Sequence, residues 1–276
     1  MTPDTSKPRV VAAQAGLRVS AVIAVGEHAP SLEACLRAIL NEPWIDELVI
    51  VDAGVNGEEA SRMRALQADR RDVRFVETGG ATLAKARNVG AARAAGKWVL
   101  FLDPDIVIRR GAAERLVKAG RLARSPWIVG GALSDPRGRQ RGVTARTRLG
   151  RRPAPAERVD GGFLLIPRAE FVALGGFDET YRGHGETRDL CRRARAGGGS
   201  VWLQPAAEGV EFEGVRQKSR VADAVARVTG AARYARKFAA SPIERAFVLV
   251  LAPVFIGAAA LKAVVTAPFR AHRPPP

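Results

Sequence analysis

The sequence predicts an open, doubly wound α/β sheet. Three observations carry that prediction. Short, nearly unbroken apolar runs recur through the first half: VSAVIAV at 19–25, LVIV at 48–51 and WVLFL at 98–102. Runs this continuous suit strands buried on both faces, as in a parallel sheet. Helix-length segments at 31–41, 58–69 and 82–95 alternate with them, and such alternation is the signature of a parallel sheet with helices on both faces. Acidic residues then fall at strand ends, where sheets of this kind bind ligands: Asp52 closes the second strand, and Asp103 and Asp105 close the fourth.

Taken in order, 19–25 opens the sheet and Ser31 stands where a helix N-cap belongs. The segment 48–51 is the second strand and 58–69 the second helix. A third short strand is expected at 73–76, then a helix behind Thr82 as its N-cap, then the strand 98–102. From 134 to 160 the pattern breaks: eight arginines with several Pro and Gly read as a long loop. That loop has two open readings, a clamp for a diphosphate or a lipid-linked pyrophosphate, and a solvated surface. A strand follows in GGFLLIP, then a short helix, the turn Gly175-Gly176-Phe177-Asp178, a helix over 186–196 and a strand over 200–203.

Residues 1–16 read as a disordered N-terminus without the apolar stretch of a signal peptide, which gives a cytoplasmic expectation. Beyond 215 the chain becomes a basic and apolar helical tail, with eleven Arg and Lys against two acids. Its stretch 246–261 carries no charge, and as a helix it is ~24 Å long, shorter than the ~30 Å hydrocarbon core of a bilayer. The expectation is a helix lying in the membrane surface, with arginines meeting lipid phosphates at the inner face of the plasma membrane; a buried helix with a basic neighbour is the alternative.

The 276 residues are 47% hydrophobic, enough for one large domain with a small appendage, and they exclude global disorder. A formal charge of +16 favours an anionic partner. Nucleic acid is the weak candidate, because aromatics make up only 6% and no reader motif is present. Two cysteines exclude a disulfide framework, and three histidines lack zinc-ligand spacing.

Asp103-Pro104-Asp105 is the centre of the functional reading. Two carboxylates one residue apart at a strand end share a crevice if Pro104 bends the chain. Mg²⁺ and Mn²⁺ prefer oxygen ligands, and Mg²⁺ commonly combines one or two carboxylates with phosphate oxygens. A metal held there would neutralise a departing diphosphate. A solvated turn is the commoner explanation of such a triplet taken alone.

Five segments in order resemble glycosyltransferase family 2, inverting enzymes with the GT-A fold, and most of all its bacterial rhamnosyltransferase-like branch. They are SLEACLRAIL, ELVIVDAG, ATLAKARNVGAARAAGKWVLFLDPD, GGFLLIPRAEFVALGGFDE and GETRDLCRRARAGG, within a domain of residues 17–214. The resemblance implies transfer of a sugar from a dTDP-, UDP- or GDP-linked donor to a saccharide or lipid-linked acceptor in cell-surface polysaccharide synthesis. It implies that Asp52, Arg87 and Asn88 contact the nucleotide, that Asp103 and Asp105 hold the metal and diphosphate, and that Asp178 shapes the donor-sugar and acceptor side. Plainer readings stand beside these: a capped strand end at Asp52, an exposed helix face with Asn88 bonding local backbone, and a Gly-rich turn at Asp178.

The family's general base sits in an E-D-x-D-L segment, which here reads Glu186-Thr187-Arg188-Asp189-Leu190. Thr187 replaces the usual first Asp. Glu186 and Asp189, on one helical face, are the two candidate bases; both would also simply favour the positive end of the helix. Ala53 replaces a second acidic residue, and no His follows the last strand, where Glu211 and Glu213 are the available oxygen ligands. These departures raise a second function, a degenerate member that binds nucleotide or glycan within a synthase complex.

Overall fold

The computed structural model describes residues 19–26, 30–123, 125, 127–142, 152–212 and 220–239, with scattered positions between 241 and 258. Strand β1 (Val19–Val25) lies between β2 (Ile45–Asp52) and β4 (Trp98–Leu102), parallel to both, and β3 (Val73–Val76) flanks β2. All seven residues of β1 are buried because both faces are covered. Val19, Ala21 and Ile23 pack toward α1 (Leu32–Leu40), whereas Val22 and Ala24 pack toward α3 (Leu83–Arg93). This two-sided burial is the physical reason for the unbroken apolar run.

Local chemistry starts the helices. The Thr82 hydroxyl accepts a bond from the Lys85 N–H, and the Asn56 side-chain Oδ1 accepts one from the Glu59 N–H at the head of α2 (Gly57–Asp69). Ser31 precedes α1 but makes no capping bond with its side chain. Gly90 lets α3 approach the sheet: a Cβ there would lie 2.3 Å from Val22 Cγ1.

The second half departs from the expected parallel pattern. Strand β8 (Phe163–Pro167) runs antiparallel to both β4 and β6 (Trp127–Ser134). Strand β9 (Ser200–Glu211) runs parallel to β6 and antiparallel to β5 (Ile106–Ile108) and to β7 (Ala154–Pro155). The order is β3-β2-β1-β4-β8-β6-β9-β5, so the sheet is mixed, with its parallel character concentrated at one side. The expected strand 200–203 continues to Glu211. It passes Pro205 through a register shift opposite Gly131 and Ala132, the kind of irregularity that lets a strand tolerate a proline. Helix α4 (Ala112–Gly120) and strands β5 and β6 lie where the apolar pattern singled out nothing. Helices α5 (Arg168–Ala173) and α6 (Glu186–Ala196) follow β8.

Both ends of the expected loop 134–160 are described, and 143–151 lies outside the described residues, as does the expected N-terminal segment 1–16. Of the tail, α7 (Arg220–Phe238) packs against the domain through Tyr234, which is buried. Most of 246–261 lies outside the described residues, and among those described no helix is long and apolar enough to cross a membrane.

Candidate active site

Strand direction gathers the site. The carboxyl ends of β1, β2, β4, β6 and β9 and the amino end of β8 share one edge of the sheet. The strand order reverses direction at β1, next to β4, which is where open α/β sheets form a crevice. A cleft of about 620 Å³ opens at that edge, and Arg87, Asp103, Asp105 and Glu186 all line it.

Asp103 and Asp105 leave β4 in a tight turn. The Asp103 N–H donates to Gly162 O at 2.9 Å, and the Ile106 N–H donates back to Asp103 O at 3.1 Å. Phe212, at the end of β9, donates to Asp105 O at 2.9 Å. With Pro104 buried, both carboxylates stand at the cleft. Beneath them Cys35 is fully buried, and that burial, together with the charges of Asp105 and Asp103, raises its thiol far above the usual range. Cys35 therefore stays a neutral thiol.

Among the described residues Arg87 is the largest fully buried side chain. Its Nη2 donates to Asp103 Oδ1 at 2.5 Å, and its Nη1 stands 3.7 Å from Glu186 Oε1. Its guanidinium also lies 5.5 Å from the centre of the Phe177 ring. A buried cation is tolerated only when paired, and here one arginine joins carboxylates from the two halves of the fold. Glu186 opens α6 and is 6% exposed, and its Oε2 has no hydrogen-bond partner.

Two glycines make this closeness possible. A Cβ on Gly162 would lie 2.5 Å from Asp103 Oδ2, and one on Gly161 would lie 2.1 Å from Thr187 Oγ1. GGFLLIP read only as a strand in the sequence, and the doubled glycine ahead of it was the available signal. Arg158 and Asp160, from the Arg-rich loop expected over 134–160, also line the cleft, as does Arg227, which no pattern in the sequence marked.

The other expected site residues stand elsewhere. Asp52 ends β2 on the same sheet edge, outside the cleft lining, and its Oδ1 accepts from the N–H groups of Gly54 at 2.7 Å and Val55 at 2.9 Å. Asn88 does not line the cleft. It holds the glycine turn from both sides, donating to Phe177 O at 2.9 Å and accepting from the Phe177 N–H at 2.8 Å. Asp178 is committed to Lys237 at 2.7 Å and to the Thr180 N–H at 3.0 Å. Burial pushes the Asp178 carboxyl up, but the bonds from Lys237 and Thr180 outweigh it and bring the group down to about 2.

Asp189 is completely buried. It pairs with Arg193 at 2.7 Å and Lys237 at 2.6 Å, and it does not reach the cleft. Its expected role as base therefore gives way to a structural one: it ties α6 to α7. Of the two candidate bases, only Glu186 faces the cleft. Glu211 lines the cleft beside Asp105, and Glu213 lies outside the described residues.

Residues 20–124 match the family model for glycosyl transferase family 2. No curated protein is similar enough in sequence to count as a match. Among solved structures, the chain is similar to GalNAc-T7 with UDP, GalNAc and Mn²⁺, at TM-score 0.63 and 17% identity over 81% of this chain and 48% of that one. It is similar to the mannosyltransferase PcManGT from Pyrobaculum calidifontis in complex with GDP-Man and Mn²⁺, at TM-score 0.59 and 20% identity over 92% and 77%. It is also similar to S. aureus TarS 1-349, at TM-score 0.61 and 13% identity over 91% and 72%. The chain thus spans about half the length of GalNAc-T7. At these identities the likeness establishes the fold, the GT-A glycosyltransferase fold.

Proposed function

We propose, from the match of residues 20–124 to the glycosyl transferase family 2 model, that the protein is an inverting glycosyltransferase. It takes a sugar from a nucleotide-diphosphate donor, dTDP-, UDP- or GDP-linked, and passes it to a saccharide or lipid-linked acceptor in cell-surface polysaccharide synthesis. The observation that carries this reading is the joining of Asp103, Asp105, Arg87 and Glu186 in one cleft at the carboxyl edge of the sheet.

A divalent metal, Mg²⁺ or Mn²⁺, fits the donor set. Both Asp103 and Asp105 offer hard oxygens to the same cleft. Among the described residues no group of three or more His, Cys, Asp and Glu stands close enough to hold an ion alone, so phosphate oxygens would have to complete the shell. When bound, the metal offsets charge on the departing diphosphate. GalNAc-T7 and PcManGT, both solved with Mn²⁺, support that reading.

The chain's own residues do the rest. Asp52, on the nucleotide side of the edge, orients the base or ribose. Arg87 fixes the Asp103 carboxylate and holds a permanent positive charge beside the diphosphate. Glu186 takes the proton from the acceptor hydroxyl as its oxygen bonds to the anomeric carbon. The bond from that carbon to the diphosphate breaks on the opposite face, so configuration inverts and the nucleotide diphosphate leaves with the electron pair.

Thermal unfolding with UDP, GDP and dTDP, with and without Mn²⁺, tests donor binding. One nucleotide with Mn²⁺ should stabilise the protein by ~2.7 kcal/mol at a hundredfold excess over Kd, and Asp105→Asn should remove the effect. No response to any nucleotide sinks the proposal. Glu186→Gln should keep the nucleotide response and lose transfer. A second reading follows from Thr187 standing at the usual base position: a nucleotide-binding member without turnover. A wild type that binds nucleotide but neither transfers nor hydrolyses the donor selects it.

We further propose that the protein lies at the inner face of the plasma membrane through residues 246–261, on the strength of their uncharged sequence. Deleting the chain after Ser241 should move it from the membrane to the soluble fraction.

A further inference from the structure

The cleft has a basic wall on the side away from Asp52. Along the sheet edge the strands run β2, β1, β4, β8, β6, β9. Asp52 ends β2, and the Asp103–Asp105 turn ends β4. Arg158 stands ahead of β8, and Arg141 stands beyond β6. Arg188 of α6 and Arg227 of α7 join them in the lining. Four arginines thus converge from four separate segments. Apart from the Asp103–Asp105–Arg87–Glu186 group, the carboxylates in the lining are Asp160 and Glu211; outside it Asp135 stands 3.8 Å from Arg141 and Glu157 stands 3.9 Å from Arg188, so the wall offers an anion its converging guanidinium groups rather than a net charge.

The wall is held in place by side-chain contacts. The Arg188 guanidinium stacks 4.1 Å from the centre of the Tyr234 ring and reaches Glu157 at 3.9 Å. Helix α7 is seated by Lys237, which bridges Asp178 at 2.7 Å and the buried Asp189 at 2.6 Å. Gly230 brings the two backbones together, since a Cβ there would lie 2.1 Å from His184 O. A tail solvated on every side needs none of this. Seated this way, α7 holds Arg227 over the cleft.

Resting on the donor assignment of Asp103 and Asp105, we propose that the acceptor is anionic: it carries a phosphate group that sits on Arg141, Arg158, Arg188 and Arg227. Guanidinium forks match phosphate oxygens in paired hydrogen bonds. Position along the edge separates the two anions. The donor diphosphate lies at the β4 turn between the nucleotide and the cleft, and the acceptor phosphate lies beyond it, on the C-terminal half of the fold. Lys237 is a positioning residue for this wall, acting through α7.

The test uses the full chain saturated with its preferred nucleotide diphosphate and Mn²⁺, so that the Asp pair is filled. Calorimetric titration then compares glucose, glucose 6-phosphate and geranyl diphosphate. Either phosphorylated probe should bind at least tenfold more tightly than glucose, and more weakly as NaCl rises. Preference for geranyl diphosphate identifies a lipid-linked source, and preference for glucose 6-phosphate a soluble or polymeric one.

Arg158→Gln with Arg227→Gln should lose the phosphate preference with nucleotide affinity unchanged, and Lys237→Met should lose it too, with Lys237→Arg retaining it. Equal binding of glucose and both phosphorylated probes overturns the proposal. So does a double variant whose nucleotide affinity falls by the same factor as its phosphate affinity, because the wall would then belong to the donor. If the wild type binds no nucleotide, the donor reading fails by itself, and the same titration without nucleotide still decides the wall: sensitivity to the double variant supports it, and insensitivity overturns it.

Discussion

The two halves of the sheet are built on different rules. From β1 to β4 every pairing is parallel, each strand is joined to the next through a covering helix, and the apolar runs are continuous. From β5 to β9 antiparallel pairs predominate, and β9 pairs with three partners drawn from positions far apart in the chain. The first half provides the turn that carries Asp103 and Asp105. The second provides Glu186, the doubled glycine and the arginines. The first is a parallel frame set by local order, and the second is a set of distant segments brought to that frame. Arg87 is the joint between them.

Breaking the joint should have the largest effect. Arg87→Met leaves Asp103 and the buried Glu186 without their shared cation, and such losses cost about 3–5 kcal/mol. Urea unfolding measures it; a loss below ~1 kcal/mol would mean the halves do not depend on Arg87. Adding Glu186→Gln should recover part of the loss by removing one stranded charge.

Next come two close approaches, one on each side. In Gly90→Ala the new methyl meets Val22 Cγ1 at 2.3 Å, and in Gly131→Ala it meets the Phe163 ring at 2.0 Å. Overpacking of this kind costs about 1–3 kcal/mol. Similar costs at the two sites would show the halves to be equally rigid, and a much smaller cost at Gly131 would show the mixed half to yield.

A smaller effect is expected at Lys237→Met. Its side chain is about a third exposed, which limits the loss to roughly 1 kcal/mol after solvent screening. The pH dependence is more telling. The folded pKa of Asp178 is depressed to about 2, so the stability it contributes is complete above its unfolded value of ~3.9 and is lost as pH falls through about 2. Removing Lys237 should flatten the stability profile between about pH 4 and pH 2. An unchanged acid limb would show that Lys237 does not hold Asp178.

The smallest stability change is expected for Asp52→Asn, within ~0.5 kcal/mol, because an amide oxygen can accept the same bonds from Gly54 and Val55. Nucleotide affinity should nevertheless fall. An unaltered affinity would confine Asp52 to capping its strand.

What the sequence disclosed follows the same division. Val19–Val25 and Trp98–Leu102 were legible to the residue because burial on both faces leaves an unbroken apolar signal. Asp103 and Asp105 were legible because a parallel strand points its carboxyl end at the ligand crevice. Strand β9 was cut short at Leu203 because Pro205 ends a run by local rules, and only its pairing with β6 carries it on. Glu186 and Asp189 looked equivalent three residues apart. The difference between them lies in α7, which buries Asp189 against Lys237 from a distant part of the chain. Asn88 was misplaced for a related reason: the backbone it bonds belongs to Phe177.

The late position of α7 has a consequence for how the protein is made. Chains emerge from the ribosome amino end first, and their early portions fold as they appear. Strands β1 to β4 can assemble then, but β5 waits for β9, since Ile106 pairs with Glu211. Arg227 and Lys237 come later still. During synthesis the nascent chain therefore passes through a stage in which the parallel frame exists and the opposite wall does not. On the proposed donor and acceptor assignments, nascent chains that stall before residue 220 should capture nucleotide without the means to seat an anionic acceptor beside it, and translation would set the order in which the two substrates become bindable.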